Sequence, residues 1–107
     1  MGIPAPREVD LYAPILDAIA IRGGFAWRVN SGTVAIGGRR IRFNGCPGHP
    51  DIAGMTATGR ALFVEVKHGR GKLTLEQASF IEKAERHGAL CIVAYSLDDV
   101  TRALREG

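Results

Sequence analysis

Two carboxylates and a lysine bound the chemistry open to this chain. Asp51 follows Pro50 at the head of one apolar segment, and Glu65 and Lys67 close the next. Carboxylates held a few ångströms apart repel, and a hard divalent cation, which prefers oxygen ligands, relieves that repulsion. Mg²⁺ or Mn²⁺ is therefore the cofactor that Asp51 and Glu65 suggest. A lysine beside such an ion can hold a hydroxide or a phosphate.

Positioning these groups is the work of two short strands. Asp51 to Thr56 and Arg60 to Lys67 are predicted to pair as a hairpin through the turn Ala57-Thr58-Gly59. Side chains alternate along a strand, so Phe63, Glu65 and Lys67 share one side while Leu62, Val64 and Val66 share the other. Antiparallel pairing brings the start of the first strand beside the end of the second, and Asp51 beside Glu65.

The flanking segments complete an α/β domain with a mixed sheet, in the order α-β-β-β-β-β-α-β-α. Leu11, Ile15, Ala18 and Ile19 recur at helical spacing from Glu8 to Arg22, and Gly23-Gly24 ends the pattern. Pro14 falls inside this stretch, so the helix is kinked there or begins there, and we take the first. Phe25 to Val29 reads as a strand. Thr33 to Ile36 and Arg39 to Phe43 read as a hairpin on Gly37-Gly38, with Arg40 and Arg42 on one face. Thr74 is a candidate N-cap of a helix whose buried stripe is Phe80, Ile81 and Ala84. Ala89 to Tyr95 reads as a strand covered on both faces. Ser96 and Asp99 then cap a last helix bearing Leu97, Val100 and Leu104.

Several residues admit two readings. Glu8 fits an ordinary first-turn acid, but on the stripe of Leu11 and Ile15 its carboxylate would need a cation or donor. Gln77 serves equally as the N3 member of a capping box with Thr74 or as a site residue. Asn30 and Ser31 either cap a turn or face the site. His49, next to the Pro50-Asp51 pair, reads as an exposed loop histidine or a phosphate contact. Arg39, Arg40, Arg42, Arg70 and Lys72 form either a solvated basic face or a phosphate-binding one. Cys46 and His49 have metal-like spacing, but a zinc site wants about four ligands and only the distant His68, His87 and Cys91 remain. Cys91 reads as core.

Composition narrows the classes further. The 107 residues fit one compact domain, taken as 1–107, and the formal net charge of +3 is compatible with a polyanionic partner. No apolar run approaches the roughly 18 residues that cross a bilayer. The first residues lack a secretory pattern, and a cytoplasmic setting is expected.

The Pro50-Asp51 pair and the Glu65-Val66-Lys67 triplet resemble the PD-(D/E)xK nuclease superfamily. Glu8, the Gly48-x-Pro50-Asp51 form of the motif, and Gln77 after Lys67 make the chain similar to the VRR-NUC family, from Glu8 to the last helix. That resemblance implies a restriction-endonuclease-like core. It makes Glu8, Asp51, Glu65 and the Val66 backbone carbonyl metal ligands, with Lys67 and Gln77 completing the catalytic set. It further implies a stand-alone phage or bacterial form that resolves four-way (Holliday) junctions.

A metal-dependent endonuclease acting on branched DNA as a homodimer is the function expected, with no membrane and no organic cofactor involved. The last helix or the outer face of the glycine-turn hairpin would supply the dimer surface. The alternatives are a flap, nicking or restriction-type nuclease, and a catalytically silent DNA-binding module. Three clustered carboxylates argue against silence, because they would only repel phosphate.

Overall fold

The computed structural model describes residues 8–29, 33–42 and 46–106, with side chains described for 10–29, 37–39 and 46–106. Helix α1 (Glu8–Ile21) buries Leu11, Ile15 and Ile19, spaced four apart on one stripe, and Ala18 is only half-buried. It runs without interruption through Pro14. The strands are β1 (Phe25–Arg28), β2 (Thr33–Ile36), β3 (Arg39–Arg42), β4 (Ile52–Met55), β5 (Ala61–Val66) and β6 (Leu90–Ala94), with α2 (Leu75–Arg86) before β6 and α3 (Leu97–Glu106) after it. This is the element order read from the sequence.

Four strands form one mixed sheet in the order β1-β4-β5-β6. The pairs β1/β4 and β4/β5 are antiparallel, and β5/β6 is parallel because α2 carries the chain back across the sheet. β2 and β3 make a separate two-stranded sheet, turning at Gly37 and Gly38, whose positive φ values of 58° and 78° suit a tight hairpin. Its register pairs Thr33 with Arg42 and Ala35 with Arg40. Phe43 lies outside the described residues.

The main sheet has two unequal faces. Ile52, Leu62, Val64, Val66, Ile92 and Ala94 pack with Leu11, Ile15 and Ile19 of α1 and Val100 of α3 into a core that is almost solvent-free. α2 lies on the other side, and no residue of it is fully buried. Phe80, Ile81 and Ala84, expected as a buried stripe, are half-buried because α2 covers the sheet on one flank only. β6 departs from expectation in the same way: Leu90, Cys91 and Val93 keep part of their surface. In α3, Val100 is fully buried and Leu104 packs against the core. The apolar stripe expected to offer a dimer surface is therefore largely consumed inside the fold, with only Leu97 of the three exposed. No helix among the described residues is long and apolar enough to cross a membrane.

Candidate active site

The predicted convergence of Asp51 and Glu65 is present. Register pairs Ile52 with Val64, which places Asp51 across from Glu65, and the Val66 N–H donates to Asp51 Oδ2 at 2.9 Å. On the other side of β4, the Val29 N–H donates to the Asp51 carbonyl at 2.7 Å, extending the β1/β4 ladder to the same level. Asp51 is thus held by strands on both sides.

Glu65 points toward α2 and is 4% exposed. Its Oε1 accepts from Gln77 Nε2 at 3.0 Å and lies 3.9 Å from Lys67 Nζ. Lys67 Nζ in turn donates to Gln77 Oε1 at 2.8 Å. The Gln77 amide therefore stands between the cation and the buried carboxylate and bonds to both. A buried charge is tolerated only when donors or a counter-charge meet it, and here Gln77 and Lys67 both approach Oε1.

Gln77 is the N3 residue of the capping box and also bonds Lys67 and Glu65. Gln77 N–H donates to Thr74 Oγ1 at 3.1 Å, and the Thr74 N–H donates to Gln77 Oε1 at 2.9 Å. The capping box that starts α2 also fixes the amide that meets Lys67 and Glu65.

The loop before Asp51 is tied to the same helix turn. Gly48 has φ +77°, and a Cβ there would overlap the Glu76 carbonyl and come within 2.8 Å of Gln77 N. Glycine is needed for two reasons, conformation and close approach. Pro50 beside it is fully buried. His49, expected as an exposed loop histidine, is half-buried: its ring lies 5.1 Å from that of Phe80 and 5.8 Å from that of Phe63, and Nδ1 bonds the Pro50 carbonyl at 2.7 Å. The aromatic neighbours draw it under α2 and away from the open loop edge.

A second loop leaves Lys67 toward α2. The Lys67 N–H donates to the Ala94 carbonyl at 2.9 Å, and the Tyr95 hydroxyl donates to the Gly71 carbonyl at 2.7 Å, pinning the loop to the end of β6. Arg70 and Lys72 stand exposed on it. In the sequence Gly48 stands out only through a motif, and Tyr95 only as the end of the last strand. Their contacts join segments far apart in the chain, which leave no local pattern.

α1 brings its first turn to this end of the sheet. Arg28, opposite Ile52, stacks on Tyr12 at 4.2 Å, whereas Ile19 lies near Gly24 and Thr56 at the far end. Glu8 opens the helix one turn before Tyr12, at the Asp51 end, with its side chain outside the description. The hairpin β2/β3 is rooted at the same end, since the chain leaves from Val29 and rejoins at Cys46. Arg42 falls near the root, and Arg39, exposed, near the tip. Asn30 and Ser31 lie outside the described residues. Among the described residues no three His, Cys, Asp or Glu side chains cluster as a metal cage. Mg²⁺ requires less: one or two carboxylates, with water and substrate phosphate as the remaining ligands. The all-oxygen pair Asp51 and Glu65 fits that demand.

Comparison with known proteins agrees with this architecture. The family model described as the VRR-NUC domain matches residues 22–98. The chain belongs to the VRR-NUC domain family. A solved structure described as a VRR_NUC domain has the same fold, with a TM-score of 0.65 and 22% identity over 92% of this chain and 94% of that one. No curated protein matches the chain. The VRR-NUC assignment makes this a nuclease-type domain with DNA as the class of substrate.

Proposed function

We propose that this VRR-NUC domain is an endonuclease that hydrolyses DNA phosphodiester bonds with Mg²⁺ or Mn²⁺, and that its substrate is branched DNA, above all the four-way junction. The observation that carries the reading is the linked set Lys67, Gln77 and Glu65 beside Asp51. Asp51, Glu65, the Val66 carbonyl and, from α1, Glu8 would hold the ion. Bound there, it would lower the pKa of water and offset charge on the phosphate.

The protein groups divide the remaining work. Lys67, anchored through Gln77, presents an ammonium that can donate to the attacking water or to a non-bridging phosphate oxygen as negative charge develops. Gln77 keeps that ammonium from collapsing onto Glu65 as a plain ion pair, at the 3.9 Å separation. The water oxygen forms the new bond to phosphorus while the bond to the leaving sugar oxygen breaks, and the leaving oxygen takes up a proton. Arg39, Arg40, Arg42, Arg70 and Lys72 would contact flanking phosphates. A junction has two symmetric scissile strands and each chain carries one site, so the working unit proposed is a two-fold homodimer.

The test is cleavage of junction, flap, splayed and linear DNA with Mg²⁺, with Mn²⁺ and with chelator, for the wild type and Asp51→Asn. Metal-dependent paired nicks in the junction, lost in the variant, are expected. Cutting of flaps or linear DNA alone removes the junction reading. Cleavage that persists in Asp51→Asn removes the assigned site.

A further inference from the structure

The sheet face that carries Glu65 continues past α2 into an uncovered apolar strip. Residues opposite one another form rows across this face. Phe25, Met55 and Ala61 make the first row, and Trp27, Ala53 and Phe63 the second. The next row is that of Asp51 and Glu65, one pleat repeat or about 7 Å further along the strands. α2 shelters Phe63 through Phe80, at 5.1 Å between ring centroids, but leaves the β1 side open. Phe25 is 57% exposed, Trp27 48% and Met55 42%, and the two aromatic rings lie 5.7 Å apart at 34°.

Large aromatic side chains left open in a row next to the acidic pair call for an occupant. With about 150–250 Å² per aromatic side chain, the three residues together expose on the order of 300 Å². A stable dimer buries about 800 Å² on each partner, so this strip is too small to hold a second copy by itself. It matches the area of one or two nucleobases. Every base has a π face, and stacking on an exposed aromatic ring does not depend on sequence.

We propose that Trp27, with Phe25 beside it, is a stacking platform for an unpaired nucleobase of the DNA substrate, held close to the scissile phosphate. The proposal rests on the nuclease reading above and deepens it: the site takes DNA with at least one unstacked base near the cut. One nucleotide step spans about 3.4 Å along a stacked strand, so a base on Trp27 sits within about two steps of the acidic row. Duplex DNA, whose bases are already stacked, gains nothing from this platform.

Trp27 is the only tryptophan of the chain, so its fluorescence reports on its own environment. The experiment uses Asp51→Asn protein in chelator, titrated with a single-stranded oligothymidylate, a perfect duplex, and the same duplex carrying an unpaired bulge. Quenching of Trp27 emission by about half with the single strand and the bulge, and little with the duplex, is expected. Trp27→Ala should weaken binding to the bulged DNA by about tenfold and to the duplex hardly at all, with Trp27→Phe restoring most of the loss. Equal affinities of Trp27→Ala and the parent for bulged DNA overturn the platform. So does a Trp27 emission shift that follows protein concentration without DNA, which would mean a second copy covers the strip. Either result leaves metal-dependent cleavage by the wild type intact, whereas failure of the nuclease reading shows as absent cleavage.

Discussion

On one face of the sheet, Leu62, Val64, Val66, Ile92 and Ala94 meet α1 and α3 and give up nearly all their surface; on the other, α2 covers one flank and buries none of its own residues completely. The buried core of the first face consists of aliphatic side chains with no polar atom to satisfy. The second holds Glu65, Gln77 and Lys67 in one hydrogen-bonded set, and Phe25 and Trp27 in the open. Stability is concentrated where nothing has to be reached from outside. The face proposed to admit DNA is left half-covered, and its polar groups are ordered by each other and by the capping box of α2.

This division predicts that charge and bulk can be removed from the two faces with opposite results. Glu65→Gln keeps the shape of the side chain and an oxygen to accept from Gln77, but removes the negative charge. Cleavage should fall by about a hundredfold or more, the scale seen when one group that stabilises a reacting charge is lost, while the melting temperature changes little. Ile15→Ala, on the opposite face, should cost about 2–5 kcal/mol in a denaturant titration because it opens a cavity in a closed core. Ile81→Ala, half-buried under α2, should cost less. An Ile81→Ala protein as destabilised as Ile15→Ala would break the comparison.

Gly48 tests whether the functional face is one unit. A Cβ at this position meets the Glu76 carbonyl, so Gly48→Ala must move either the Asp51 loop or the first turn of α2. A loss of about 1–3 kcal/mol is expected from the overlap and the positive φ. Cleavage should drop further than this destabilisation explains, measured at a temperature where the variant is fully folded. Unchanged cleavage would mean that Asp51 and Gln77 are positioned independently.

Much of this face was legible in the sequence because strand parity is a local property. Glu65 and Lys67 share a side by counting, and Asp51 reaches Glu65 because a three-residue turn fixes the register. Thr74 and Gln77 were readable as a capping box for the same reason. The half-burial of α2 was not, since the pattern of Phe80, Ile81 and Ala84 states which side turns inward but not how much sheet lies beneath it. His49 went under Phe63 and Phe80 through contacts between three segments. The stripe of Leu97, Val100 and Leu104, offered as one possible dimer surface, packs largely inside the fold, because an amphipathic helix carries the same stripe whether its own core or a partner covers it.

The hairpin β2/β3 forms a two-stranded sheet of its own, and Arg40 and Arg42, two positions apart on β3, set up a milder test. Arg40→Ala with Arg42→Ala should weaken binding to all DNA sequences alike. The slope of log affinity against log salt should become shallower by about one to two, as fewer counterions are released. An unchanged slope in titrations at several salt concentrations would show that this hairpin does not meet the phosphate backbone.

The smallest effect concerns Cys91, on β6 under α2, at the boundary between the covered and open parts of the functional face. Burial pushes its thiol from 9.0 up to about 11, with the Glu85 carboxylate adding to the rise and Arg60 opposing it. Its Sγ lies 3.9 Å from the Ile81 carbonyl. The unfolded chain loses this proton more readily than the folded one, so Cys91 contributes stability that is complete below pH 9 and lost as pH rises toward 11. Denaturant midpoints should fall across that window, and Cys91→Ala should flatten the fall. At pH 8 the thiolate is the reactive form and Cys91 stays protonated, so a thiol reagent should modify the exposed Cys46 quickly and Cys91 only after unfolding. Fast modification of both thiols in the native protein would mean that α2 lifts from β6 often enough to expose Cys91, and that the half-covered face is looser than its hydrogen bonds suggest.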